Sequence, residues 1–141
     1  TYHIVVVGEW QAAVHEVNAP IKKTQGSLVN RVIVSSSGRP ARTIFWPLKC
    51  ANGYTLVEVR PMTGRMHQIR VHAASAGFPV AADRKYGNVS DNRKLARMGI
   101  KRQLLHATRI ELQHPDTGAL LRIEAPLPDD FEQLMAVGPN I

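Results

Sequence analysis

The chain has 141 residues, of which 44% are hydrophobic and 21% charged. That supplies apolar material for one core, and the length is too short for two domains, so disorder and a two-domain layout are excluded as starting points. No apolar run approaches the ~18 residues that a membrane-spanning helix needs.

The single cysteine, Cys50, cannot form an internal disulfide, so nothing points to an oxidising compartment. With no secretory leader, a cytoplasmic home is expected. Net charge is +7, which points to a polyanionic partner. Between Arg60 and Arg109 there are eleven lysines and arginines and only two acids, Asp83 and Asp91. That stretch carries +9 and the rest of the chain a net −2. Basicity this local suits a phosphate-binding surface. Arg93, Lys94, Arg97, Lys101 and Arg102 alone would also fit a solvated helix face. The aromatics are scattered and form no stacking platform for a single strand.

In chain order, Tyr2-His3-Ile4-Val5-Val6-Val7 is a β-branched run ended by Gly8, which predicts a buried strand. A strand needs neighbours, and none precedes this one. There is also no initiator Met, so the chain is expected to be the trailing part of a larger domain. Residues 14–21 read as extended, with Pro20 as the stop, and residues 31–34 as a short strand. Ser35-Ser36-Ser37-Gly38-Arg39-Pro40 is a turn. Residues 43–46 and 54–59 are strands joined through Asn52-Gly53, a strong hairpin signal. Residues 90–98 form a short helix with Ser90 as N-cap and Gly99 as stop. Residues 104–112 and 120–125 make a second hairpin across His114-Pro115-Asp116-Thr117-Gly118. Residues 131–137 close the chain as a helix, with Asp129 and Asp130 before it and Gly138-Pro139 after it. The runs do not alternate strand with helix, so the fold class is α+β with a mainly antiparallel sheet.

Thr63-Gly64-Arg65-Met66-His67-Gln68-Ile69-Arg70-Val71-His72 is the most specific stretch. Thr63 can cap a helix and Gly77 can end it. On a wheel of 100° per residue, Met66, Ile69, Ala73 and Ala76 share one side, while Val71 and Ala74 lie nearly opposite. A helix apolar on two faces is mostly buried. Arg70 projects between Met66 and Ala74, so its guanidinium needs a carboxylate, a phosphate or a ring of carbonyls beside it. His67 and His72 are five apart, which is wrong for a metal clamp, and they read as hydrogen-bonded structural histidines. Asp83 reads as a turn residue, and Cys50 stands in no nucleophilic setting. No zinc cluster, P-loop or dinucleotide fingerprint is present.

The Thr63–His72 stretch, Gly77-Phe78-Pro79-Val80, Asp83-Arg84-Lys85-Tyr86-Gly87, Leu105-His106-Ala107 and Arg122-Ile123-Glu124-Ala125-Pro126 occur in that order. Together they resemble the RluA-type family of RNA pseudouridine synthases, in particular its RluC-like members, which act on large-subunit ribosomal RNA. The resemblance covers nearly the whole chain, and residues 22–30 are its least informative stretch. It implies a cofactor-free and metal-free isomerisation in which an aspartate is the nucleophile. The uracil detaches from its ribose, turns and rejoins through carbon 5.

That aspartate belongs to a His-Arg-Leu-Asp motif upstream of the opening strand, and the present sequence contains no such motif. Residues 1–141 are thus expected to be the C-terminal portion of one catalytic domain, inactive alone. The resemblance assigns Tyr2 to stack on the target base and Arg70 to pair with the absent aspartate. It has Ile69 line the uracil pocket and sets Arg65, His67 and Gln68 near the RNA. Two other readings stay open on the residues: an RNA-binding module without catalysis, and a basic structural protein of the ribosome. Nothing resembles a dimer seam, so a monomer is expected.

Overall fold

The computed structural model describes residues 1–24 and 31–135. Nine strands and three helices are described: β1 (Tyr2–Val7), β2 (His15–Asn18), β3 (Ile21–Lys23), β4 (Val32–Val34), β5 (Arg42–Ala51), β6 (Tyr54–Pro61), α1 (Gln68–Ser75), α2 (Val89–Arg97), β7 (Leu105–Ala107), β8 (Arg109–Gln113), β9 (Leu120–Glu124) and α3 (Asp129–Met135). Five strands form one sheet in the order β2-β5-β6-β1-β7, with every pair antiparallel. The β3–β4 and β8–β9 pairs stand as separate two-stranded ribbons. The fold is α+β with antiparallel sheets, as the sequence implies.

The opening strand does find neighbours, and both come from downstream. Tyr2 lies opposite Val59 on β6 and Ala107 on β7. The expectation that β1 lacks partners within this chain is corrected on that point.

Alternation along β1 buries both of its faces. Ile4 and Val6 join Phe45, Val57, Val59 and Trp10 in a cluster that meets Ile69 and Ala73 of α1. Val5 joins the opposite cluster with Leu95 of α2, Phe131 and Leu134 of α3, and Ile100 and Leu104. Full burial of each such side chain contributes roughly 1.5–3 kcal/mol. On its far side α1 buries Val71 against Ile21, Val32 and Ala41. The helix is therefore held between the sheet and the β3–β4 ribbon, as two apolar faces require.

Asn52 and Gly53 take φ +57° and +83° between Ala51 and Tyr54, the left-handed pair that suits a two-residue hairpin. β5 runs well past the expected Trp46. A register shift between Pro47 and Lys49 accommodates Pro47, which has no N–H for the ladder. The expected single strand over residues 104–112 is two. β7 pairs with β1, whereas β8 pairs with β9, and the chain changes partner at Thr108, whose Oγ1 lies 2.7 Å from His3 Nδ1.

The helices differ from expectation mainly at their starts. α2 is capped by Asn88, not Ser90, because the Asn88 side chain accepts from the backbone N–H of Ser90 and Asp91. Its end is as expected, with Gly99 at φ +88°. α3 begins at Asp129, so its acids form the first turn itself. The expected stretch beyond Met135, with Gly138-Pro139, lies outside the described residues.

Candidate active site

The expected helix from residue 63 begins only at Gln68. His67 takes φ +55°, which no helix continues, and residues 63–66 form a loop instead. A buried side chain explains the departure. Gln68 Oε1 accepts from Thr63 Oγ1 at 2.6 Å and from the Arg65 N–H at 3.1 Å, and its Nε2 donates to the Arg42 carbonyl and Thr43 Oγ1. One amide thus folds the loop over itself and ties it to β5. Met66, expected to face the core, is 42% exposed as a result. The far end matches expectation: Gly77 at φ +92° lets Gly77 and Phe78 donate to the Ala74 and Ala73 carbonyls.

This loop and the start of α1 wall a cleft of about 310 Å³, the size of a small-ligand pocket. Tyr2, Arg65, His67, Gln68, Ile69 and Arg70 all line it. The six residues that the resemblance assigns to the site therefore line one cleft. Tyr2 arrives from the first position of β1, on the strand face that also carries Ile4 and Val6.

Arg70 has an anionic partner inside this chain. Its Nε and Nη2 donate to the two carboxylate oxygens of Asp83 at 2.8 and 2.7 Å. The pair is secluded, with side-chain exposures of 12% for Arg70 and 0% for Asp83. Of the carboxylate, phosphate or ring of carbonyls expected beside Arg70, this chain itself supplies a carboxylate, in addition to the upstream aspartate that the resemblance implies. Asp83 is also more than a turn residue. Its Oδ1 accepts from the backbone N–H of Lys85 and Tyr86, so the same carboxylate shapes the turn and clamps the guanidinium. Burial by itself raises the Asp83 pKa. The Arg70 pair and the two N–H bonds outweigh it and hold the carboxyl below the usual aspartate value.

The backbone is bent to deliver this group. Ala82 sits at φ +63°, a conformation costly for any residue with a Cβ. A Cβ on Gly87 would collide with the Asp83 carbonyl oxygen, so only glycine closes the turn. Tyr86 completes the support. Its ring centroid lies 5.1 Å from the Arg70 guanidinium carbon and 5.2 Å from that of Arg31. Its hydroxyl accepts from the Val32 N–H at 2.9 Å and is hydrogen-bonded to His67 Nδ1 at 2.8 Å. Burial first, then the nearby Arg70 and Lys85 cations, lowers the His67 pKa and so favours the neutral ring.

His72 lies outside the cleft. Fully buried, its Nε2 donates to the Ala19 carbonyl and its Nδ1 accepts from Thr43 Oγ1 at 2.7 Å. It is a structural histidine, as its spacing from His67 implied. Sequence reasoning missed Gln103, Thr63 and Leu105 in the cleft wall, together with Asp83 and Tyr86 behind it. Asp83 follows Arg70 by thirteen positions across a helix end and a turn, a spacing with no periodic signature.

A family model described as RNA pseudouridylate synthase matches residues 1–75, which include Tyr2 and the whole loop up to Arg70. The chain belongs to that family. Among curated synthases, ribosomal large subunit pseudouridine synthase C of Pasteurella multocida (strain Pm70) is 40% identical over 135 residues, 95% of this chain and 41% of that protein. The protein of the same name from Yersinia pestis is 40% identical over 141 residues, 99% of this chain and 44% of that one. The chain thus spans less than half the length of these relatives. Among solved structures, human RNA Pseudouridylate Synthase Domain Containing 1 superposes with a TM-score of 0.76 at 24% identity, over 89% of this chain and 53% of that one. This last likeness establishes the shared synthase fold.

Proposed function

We propose that this chain is the C-terminal part of a pseudouridine synthase catalytic domain, and that the whole protein isomerises uridines in large-subunit ribosomal RNA. The observation that carries the reading is the convergence of Tyr2, Ile69 and Arg70 on one nucleoside-sized cleft. Membership of the family and relatives named for the large ribosomal subunit support it.

A uridine turned out of its helix loses its stacking, and the Tyr2 ring replaces it while Ile69 covers the uracil. The nucleophilic carboxylate comes from the His-Arg-Leu-Asp segment of the whole protein. Asp83 occupies Nε and Nη2 of Arg70, and Nη1 has no hydrogen bond among the described residues. That third nitrogen is where a second carboxylate meets the guanidinium, which keeps it ionised and oriented. The uracil N1–C1′ bond breaks and a C5–C1′ bond forms. C5 gives up its proton and N1 takes one up, so the reaction balances without a co-reactant.

The test incubates the full-length protein with unmodified large-subunit ribosomal RNA transcripts and maps pseudouridine by carbodiimide labelling and primer extension. Site-specific modification is expected, with loss of at least a hundredfold in rate for Arg70→Met and none detectable for residues 1–141 alone. Wild-type turnover by Arg70→Met would remove the ion-pair role. RNA bound but never modified by the full-length protein would leave the non-catalytic RNA-binding module instead.

A further inference from the structure

Beside the cleft lies a second, wider groove of about 640 Å³ that shares Arg70, Gln103 and Leu105 with it. Arg84 and Lys85 form one bank, from the turn after Asp83. Lys101 and Arg102 form the other, from the segment between α2 and β7. No acid lines the groove. The Arg102 charge is answered by Asp130, at 3.2 Å. Arg84 and Lys101 are exposed and have neither an ion pair nor a side-chain hydrogen bond among the described residues. Two segments on either side of α2 thus bring uncommitted cations, Arg84 and Lys101, to one channel that shares residues with the cleft.

The chain has another basic surface, and it has a different explanation. Arg93, Lys94 and Arg97 project from α2, and none of them lines the groove. Lys94 and Arg97 sit in the last turn of that helix, where positive charge offsets the partial negative charge of the carbonyl end.

We infer that the groove between Arg84 and Lys101 carries the phosphate backbone of the RNA strand next to the target uridine, and that the cationic face of α2 does not. The inference rests on the reading above for the identity of the RNA. Beyond that reading, it selects one of two basic surfaces and names the two residues that do the work. A guanidinium and an ammonium lining one open channel suit a flexible, single-stranded polyanion that passes along it.

The experiment compares two double variants of the full-length protein, Arg84→Gln/Lys101→Gln and Arg93→Gln/Lys94→Gln, each lacking two positive charges. Binding to an unmodified large-subunit ribosomal RNA transcript is measured by filter retention across a salt series. The groove pair is expected to weaken binding about tenfold at moderate salt. Its slope of log affinity against log salt should shrink by about 1.4, the value for two phosphate contacts on a single strand. The α2 pair is expected to keep the wild-type slope. Both should melt within a few degrees of the wild type, since all four side chains are exposed and the dipole contribution of Lys94 is small. An unchanged slope in the groove pair, or an equal drop in the α2 pair, overturns the inference. Because binding is read apart from turnover, a full-length protein that binds through the groove yet forms no pseudouridine would sink the functional reading and leave this one standing.

Discussion

The wall of the cleft and the β8–β9 ribbon are opposites. In and behind the cleft wall, four polar side chains are buried and engaged. Gln68, His72, Thr43 and Asp83 are all shut from solvent and all hydrogen-bonded. In the ribbon, apolar groups are exposed and uncovered. Ile110 pairs with Ile123 and Leu112 with Leu121 on one face, at exposures of 37–60%. A buried polar network tolerates few substitutions, because a lost partner leaves a costly orphan. An exposed ribbon tolerates many. The site is therefore built where the chain has the least freedom.

The harshest way to break this contrast is Asp83→Ala. It strands the Arg70 cation in a largely closed setting and should cost about 3–5 kcal/mol in urea denaturation. Adding Arg70→Met should recover part of the loss, because no charge is then left alone. A double variant no better than Asp83→Ala would show that the carboxylate matters for the turn and not for the guanidinium.

A smaller effect is expected at His72. Burial lowers its pKa, and the Ala19 carbonyl offsets only part of that. An unfolded chain takes up this proton near pH 6.5 while the folded one resists, so stability should fall as pH drops below about 6.5. His3 and His67 are lowered for the same leading reason, burial, and act in the same direction. The depressed Asp83 adds a separate loss only below about pH 3.9, where the unfolded carboxyl begins to protonate first. His72→Gln should cost about 1–3 kcal/mol at neutral pH and make the decline below pH 6.5 shallower. An unaltered pH profile would mean that the ring does not resist its proton.

The mildest change is Ile123→Thr in the ribbon, which should move stability by no more than about 0.5 kcal/mol. A loss above 2 kcal/mol would show that the exposed face is covered in solution.

The elements with period-two or period-3.6 patterns were legible in the sequence: β1, the Asn52-Gly53 hairpin, the two-faced burial of α1 and the glycine that ends it. Six of the cleft residues were named through the family resemblance, and the residues alone pointed only to Arg70, through its place on a helix with two apolar faces. What escaped was set by long-range pairing. Local pattern at residues 63–67 favours helix, but the buried Gln68 amide overrides it. The division at Thr108 depends on which strand lies beside β1, which no local pattern reports. The Asp83 partner of Arg70 was missed because a carboxylate in a turn looks like any other turn residue until the helix that it answers is in position.

The placement of β1 between β6 and β7 has a consequence for synthesis on the ribosome. Tyr2 and its second neighbour, Ala107, pair across more than a hundred residues of chain, so Ala107 is made long after Tyr2. At about 5–20 residues per second, the opening strand waits on the order of ten seconds with one edge bare. Tyr2 is thus held between both of its neighbours only after residue 107 is made, and a chaperone that shields Tyr2–Val7 during that interval should raise the yield of folded protein.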